Sequence, residues 1–253
     1  MSTFVLIPGG WHAGWYFQAF AEALRARGHR AYPITLTGLG ERRHLLNAAV
    51  NLETHIEDVV QTLATERLTD VVLLGHSYGG MVLTGVIDRA PDRIAAAVYS
   101  DAYVPAQGES CFDLANDLFR GMFLQGAAQD GFSVPPPPGL DPRATAHPLA
   151  AFLQRLRLAN APPPIRRGYV YLTDGRTRRS RQSTNACART LLGKRSRSRS
   201  GTAQSARRSM SFLISPYDLL EGALGHTEGS RTSFGRFRGY AGRRGYPRER
   251  RFA

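Results

Sequence analysis

Short apolar segments alternate with helical periodicity along the first 174 residues, and this alternation restricts the possible folds more than any other feature. The segment DVVLLG at 70–75 is apolar almost throughout, which is typical of a strand that is covered on both faces. The segment at 51–67 places apolar side chains at i, i+3, i+4 and i+7 from Ile56 to Leu63, as an amphipathic helix does. We therefore predict an α/β fold, with a mainly parallel sheet and helices on both faces.

The same patterns predict the positions of individual elements and of domain boundaries. The predicted strands lie at 4–8, 30–35, 70–75, 93–102 and 167–174, and the predicted helices at 15–28, 51–67 and 80–90. The segment 107–165 interrupts the alternation with VPPPPGLDP and NAPPPI, and proline runs do not build sheet. We predict a core from 1–106, an insertion from 107–165, a core strand at 166–174 and a separate basic tail from 175–253.

The segment LLGHSYGGMV at 73–82 contains the pattern G-x-S-x-G between a predicted strand and a predicted helix. In that context the serine occupies a strained turn, and its hydroxyl stands at the carboxyl end of the strand near a helix N-terminus. We interpret Ser77 as a nucleophile. The alternative is a structural turn with an exposed serine.

A serine that attacks an ester forms a tetrahedral oxyanion, which needs preorganised N–H donors. One donor is expected from the residue after the nucleophile, Tyr78. The other is expected from the glycine-containing loop IPGGWHAGW at 7–15, with Gly10 as the first candidate and Trp11 as the second. His12 in this loop is predicted to hold the turn by hydrogen bonds, and His76 is predicted to be a packing residue.

The segments FVLIPGGWHAGW, TLTGLGERRHLL, LLGHSYGGMVLTGV and YSDAYVPAQGES together resemble the α/β-hydrolase superfamily. The resemblance is to its branch of small cap-bearing esterases, which includes plant methyl esterases and hydroxynitrile lyases, and it covers residues 3–174. It implies that Ser77 is the nucleophile, that Gly10 and Tyr78 form the oxyanion hole, and that Asp174 is the catalytic acid. Some relatives place the acid one strand earlier, which makes Asp101 the second candidate.

In this family an insertion such as 107–165 forms a small helical cap over the active site. The side chains expected on its underside are Phe112, Leu114, Leu118, Phe119, Met122 and Phe123. The family also places a catalytic histidine late in the chain. The only late candidate is His226, and its spacing from Asp174 is about twice what one helix and one strand need.

The net charge of +13 is confined to the last third of the chain. Residues 1–174 carry 14 arginines, no lysine and 16 acidic residues, a net charge of −2, whereas residues 175–253 carry 19 basic and 4 acidic residues, a net charge of +15. One hypothesis is an Arg/Ser-rich disordered tail that binds nucleic acid through phosphate contacts. The other is a shifted reading frame from Gly175 onward, because with suitable synonymous codons the shifted frame encodes an acid, an amphipathic helix, a strand and a histidine in that order.

The leading functional hypothesis is a serine esterase that cleaves a small carboxylic ester through an acyl-Ser77 intermediate. A hydroxynitrile-lyase-like reaction is disfavoured, because such relatives use a lysine near the catalytic histidine and the only lysine here is Lys194. A non-catalytic protein with a nucleic-acid-binding tail is the third hypothesis. We expect no cofactor, no metal and no membrane partner, and the absence of a signal-peptide pattern leads us to expect a cytoplasmic protein.

Overall fold

The computed structural model describes residues 1–160 and 163–170. Its strands in chain order are β1 (Thr3–Ile7), β2 (Arg30–Pro33), β3 (Val71–His76), β4 (Ile94–Ser100), β5 (Ser133–Val134), β6 (His147–Pro148) and β7 (Arg166–Val170). Its α-helices are α1 (Gln18–Ala26), α2 (Leu52–Thr65), α3 (Gly79–Arg89), α4 (Cys111–Leu114), α5 (Asp117–Gly126) and α6 (Leu149–Leu153). Short 3₁₀ helices occupy Gly14–Phe17, Gly40–Leu45 and Pro91–Arg93.

Five strands form one sheet in the order β2-β1-β3-β4-β7, and every neighbouring pair is parallel. The predicted α/β fold with a mainly parallel sheet is confirmed, and β3 follows the predicted strand at 70–75 within one residue. Parallel neighbours place all five carboxyl ends at one edge of the sheet. That edge carries the turn that contains Ser77.

The two faces of the sheet are covered by different helices. On β1, Phe4 and Leu6 pack with Phe20 and Leu24 of α1. Val5 and Ile7 alternate with them and pack in the larger apolar cluster that includes residues of α2 and α3. Successive strand side chains point to opposite faces, so a continuous apolar run such as that of β1 requires a helix layer on each side.

Helix α2 begins one residue after Asn51, whose side-chain oxygen accepts a hydrogen bond from the backbone N–H of Thr54 at 3.1 Å. The Thr54 side chain caps the Asn51 backbone in return, so two of the N–H groups at the helix start are satisfied. Against α3, Ile56 of α2 lies so close to Gly85 that a Cβ there would overlap its side chain. The glycine therefore lets the two helices approach closely.

The chain between β4 and β7 forms α4, α5 and α6 together with an antiparallel pair of β5 and β6. This insertion, called the cap below, is the region predicted at 107–165. Of the six apolar residues expected on its underside, Phe123 is buried, but Leu118 is 66% exposed and that prediction is wrong for it. Leu118 lies in the first turn of α5, where it points to the surface. The exact domain division stays a prediction.

Several predictions fall outside the described residues. These are the end of the last strand with Asp174, the basic tail at 175–253, and His226 within it. Within residues 1–160 and 163–170, no helix is both long enough and apolar enough to cross a membrane.

Candidate active site

Ser77 occupies a sharp turn between β3 and α3. Its φ is +50°, in the left-handed region that non-glycine residues rarely adopt. The Ser77 carbonyl accepts hydrogen bonds from the N–H groups of Gly80 at 3.0 Å and Tyr103 at 3.1 Å, which hold the turn on both sides. The side chain is half-buried, and its hydroxyl has no hydrogen-bond partner among the described residues. A strained serine with a free hydroxyl is the arrangement that the G-x-S-x-G pattern predicted.

Close backbone contacts explain the glycines that surround this turn. A Cβ on Gly79 would lie 2.5 Å from the carbonyl oxygen of Ile7, and a Cβ on Gly80 would overlap the carbonyl oxygen of Tyr103. A Cβ on Gly75 would lie 2.7 Å from the Gly79 carbonyl oxygen. The start of α3 therefore approaches the end of β1 at a distance that any side chain would prevent.

The loop after β1 passes directly beside the nucleophile. A Cβ on Gly9 would lie 3.0 Å from the Ser77 Cβ, and the next two residues are Gly10 and Trp11, the latter with a left-handed φ of +65°. His12 donates its Nδ1–H to the Gly10 carbonyl oxygen at 2.7 Å, and its backbone N–H bonds the Gly9 carbonyl oxygen at 3.3 Å. These contacts bear out the predicted turn-holding role of His12.

Two backbone N–H groups beside Ser77 are free to bind a ligand. No hydrogen bond in the described part of the chain uses the N–H of Gly10 or that of Tyr78. Both belong to the residues that the sequence singled out as oxyanion donors. Preorganised N–H groups with no internal partner are what a developing oxyanion requires.

The side chain of Tyr78 is fully buried and is held by a network that the sequence analysis did not predict. His55 Nε2–H donates to the Thr37 carbonyl oxygen at 2.9 Å, so its Nδ1 accepts from the Tyr78 hydroxyl, also at 2.9 Å. Thr37 in turn donates its N–H and its hydroxyl to Asp58 at 2.6 and 2.8 Å. Burial lowers the pKa of His55 to about 4, so the imidazole is neutral at physiological pH.

Asp101 directly follows β4, the strand next to the nucleophile. His76 pairs with Ser100 in the ladder, so Ser77 and Asp101 occupy the next positions on neighbouring strands. Asp101 also has a left-handed φ, +43°, and its N–H donates to the Val170 carbonyl oxygen at 2.8 Å. Burial raises the pKa of its carboxyl to about 6, and in the described residues that carboxyl forms no hydrogen bond or ion pair.

The histidines near the turn have distinct surroundings. His76 is buried, its ring stacks on Tyr16 with centroids 5.0 Å apart, and burial followed by the charge of His12 lowers its pKa to about 3. This agrees with its prediction as a packing residue. His147 of β6 was not singled out by the sequence, yet it is buried against Tyr78, and burial lowers its pKa well below the usual value. No histidine among the described residues hydrogen-bonds the Ser77 hydroxyl.

These features place a strained serine, a half-buried carboxyl and two N–H groups with no partner in the described part of the chain at one edge of a parallel sheet. A family model described as the α/β hydrolase family matches residues 4–243. The chain belongs to the α/β hydrolase family. The resemblance found in the sequence motifs is thus confirmed over most of the chain.

Two curated proteins with similar sequences are named as esterases. A carbendazim hydrolyzing esterase from Nocardioides sp. (strain SG-4G) is 52% identical over 114 residues, which is 45% of this chain and 47% of the relative. The probable esterase PIR7A from Oryza sativa subsp. indica is 36% identical over 110 residues, which is 42% of this chain and 41% of the relative. The chain therefore spans less than half the length of either relative.

Solved structures of α/β hydrolases share the fold. One is an extracellular α/β-hydrolase from a Paenibacillus species, whose TM-score is 0.67 at 22% identity, covering 88% of this chain and 99% of that chain. Another is a pyrethroid hydrolase from Sphingobium faniae JZ-2, whose TM-score is 0.51 at 22% identity, covering 66% of this chain and 76% of that one. At this identity the likeness describes the backbone arrangement alone.

Proposed function

We propose that the chain is a carboxylic ester hydrolase that uses Ser77 as its nucleophile. The observation that carries this proposal is the left-handed turn at Ser77, with a free hydroxyl beside the unbonded N–H groups of Gly10 and Tyr78. The names of the curated relatives support the same reaction class.

In the proposed reaction the Ser77 Oγ attacks the ester carbonyl carbon while its proton passes to a base. The carbonyl oxygen becomes an oxyanion that accepts hydrogen bonds from Gly10 and Tyr78. Collapse breaks the bond to the alkoxy group, which leaves as the alcohol after it takes the proton from the base. A water molecule then attacks the acyl-Ser77 ester by the same steps in reverse order and releases the acid.

Asp101 is our first candidate for the acid that orients the base. Its position beside Ser77 and its half-buried carboxyl, which has no hydrogen-bond partner among the described residues, support this role, because a triad acid needs a protein group to bind. Asp174 lies outside the described residues and stays a candidate from the family resemblance. His226 stays the candidate base on the same ground.

Covalent labelling tests the nucleophile. We expect a fluorophosphonate probe to modify the wild-type chain at Ser77 and to leave the Ser77→Ala variant unmodified, as read by mass spectrometry of the labelled peptide. Ser100→Ala is the matched control, because Ser100 is buried on the neighbouring strand and its hydroxyl has no partner in the described region. Equal labelling of wild type and Ser77→Ala would refute the assignment.

Replacing each aspartate by asparagine tests whether Asp101 or Asp174 is the catalytic acid. If Asp101 orients the base, Asp101→Asn lowers kcat by several powers of ten, as loss of a triad member does, whereas Asp174→Asn leaves it within a few-fold. The reverse pattern would assign the role to Asp174. Hydrolysis of p-nitrophenyl acetate supplies the readout.

The substrate is proposed at the level of a small carboxylic ester. Carbendazim itself is a direct test, because the relative with 52% identity is named for hydrolysing it. Cytoplasmic location, the lack of a membrane partner and nucleic-acid binding by the tail remain predictions from the sequence.

A further inference from the structure

We propose that Phe152 of the cap positions the oxyanion hole, so that the cap is part of the device that stabilises the transition state. This inference rests on the proposed function of Gly10 and Tyr78. Phe152 lies in α6 and is almost fully buried. Phe152 acts on the backbone of the loop after β1 and does not touch the substrate, so it is a positioning residue.

Phe152 is in contact with the residues on both sides of the proposed oxyanion site. A Cβ on Gly10 would lie 3.2 Å from the Phe152 Cζ, so the ring rests directly on the Gly10 backbone. The ring centroid lies 5.4 Å from that of Trp11 and 5.5 Å from that of Tyr78. One cap side chain thus contacts both residues that carry the proposed N–H donors.

The Phe152 ring is itself held rigidly. It stacks on His147 with centroids 4.1 Å apart and on Phe123 with centroids 4.1 Å apart, both at nearly parallel angles. His147 also contacts the Tyr78 ring at 4.7 Å. Stacked aromatic rings of this kind attract each other beyond the effect of their buried area and restrict the rotation of the Phe152 ring.

Further cap contacts hold Trp11 in its left-handed conformation. Its indole N–H donates to the Val134 carbonyl oxygen at 3.0 Å, and its backbone carbonyl oxygen accepts from the Thr145 N–H at 3.0 Å. A non-glycine residue in this conformation is strained, and it persists only where the surroundings determine it. Both of these hydrogen bonds come from the cap.

The proposed donor is the N–H of the peptide between Gly9 and Gly10, and the Phe152 ring packs against the Gly10 backbone that follows it, with the edge of the His147 ring 4.0 Å from where a Cβ on Gly10 would lie. Loss of the Phe152 ring leaves space beside Gly10 into which its backbone can move, and the direction of its N–H changes with it. Hydrogen bonds that act only in the transition state affect kcat and leave substrate binding nearly unchanged. Loss of one oxyanion donor typically lowers kcat by about 10²–10³-fold.

The test compares Phe152→Leu with Phe20→Leu. Phe20 is also a buried phenylalanine, but it lies in α1 on the opposite face of the sheet. We expect the two variants to lose similar stability in urea, whereas only Phe152→Leu lowers kcat for p-nitrophenyl acetate by at least about tenfold, with KM within about twofold. Equal kcat losses in both variants, or a change confined to KM, would overturn the proposal.

Amide hydrogen exchange gives a second readout that does not depend on turnover. We expect faster exchange of the amides at residues 9–12 in Phe152→Leu and unchanged exchange there in Phe20→Leu. Unchanged exchange in both variants overturns the positioning role. A wild-type chain that hydrolyses no ester contradicts the proposed function alone, and exchange still decides the role of Phe152.

Discussion

Replacing His55 by leucine tests both the buried network behind Tyr78 and its electrostatics. The substitution leaves the Tyr78 hydroxyl and the Thr37 carbonyl without the imidazole that joins them at 2.9 Å on each side. Each buried polar group without a partner destabilises a protein by about 1–3 kcal/mol. We therefore expect His55→Leu to lower the free energy of unfolding by about 2–4 kcal/mol at pH 7.5.

The difference in the free energy of unfolding between wild type and His55→Leu should become smaller as the pH falls. The pKa of His55 is about 4 in the folded protein against an ordinary value of 6.5, because burial disfavours its charged form. Between these values the unfolded chain binds a proton that the folded chain does not, so wild-type stability decreases as pH falls. Integrated from pH 7.5 to pH 5.0, His55 contributes a loss of about 2 kcal/mol that the leucine variant does not have.

Urea unfolding at pH 7.5 and pH 5.0, at one ionic strength and followed by tryptophan fluorescence, measures both differences. His44→Gln is the matched control, since His44 is exposed and we expect this variant to follow wild type at both pH values. A stability difference between wild type and His55→Leu that stays constant or widens in acid would show that His55 is not held neutral by burial.

Three further predictions concern the turn and the tail. Gly80→Ala should abolish folding or probe labelling, because the new Cβ would overlap the Tyr103 carbonyl oxygen. Gly121→Ala is the control and should leave both unchanged, because no atom lies within 4 Å of a Cβ at that position. Equal behaviour of the two variants would refute the packing argument. If the tail is frame-shifted, restoring the alternative reading frame from codon 175 should raise ester hydrolysis by several powers of ten, and His226→Ala in the present chain should change it little. A steep loss in that variant would instead make His226 the base. If the tail is genuine, its net charge of +15 should give salt-dependent retention on a nucleic-acid column, and truncation after residue 174 should remove it.

The sequence was sufficient to predict the sheet and the nucleophilic turn, because both depend on patterns local in the chain. The apolar run of β3 spans 6 residues and the helical period of α2 spans 14 residues, so each is visible within one short stretch of sequence. Gly10 and Tyr78 could be named as oxyanion donors because the position of a donor follows from the position of the nucleophile, and their roles stay predictions. Asp101 could be named only as an alternative, because the identity of a residue does not reveal a strained conformation or how far its carboxyl is shielded from solvent.

The contacts between cap and core could not be predicted in the same way. The hydrogen bond from Trp11 to Val134 joins residues 123 positions apart, and the contact of Phe152 with Gly10 joins residues about as distant. Neither has a local pattern, because an aromatic residue in a short helix has the same signature whether it faces solvent, substrate or a loop. His147 was missed for this reason, and Leu118 was assigned to the wrong side of its helix.

Ser77 is one of five non-glycine residues with a left-handed φ in the described part of the chain, and its strain has a consequence for how this protein can be made more robust. Glycine there would relieve strain of about 1 kcal/mol, so Ser77→Gly can raise the melting temperature while it removes the proposed nucleophile. Screens that select only for heat resistance would then enrich inactive variants at the carboxyl edge of the sheet. Thermal engineering of this scaffold therefore belongs at positions remote from that edge, such as the exposed face of α5, with activity measured at every round.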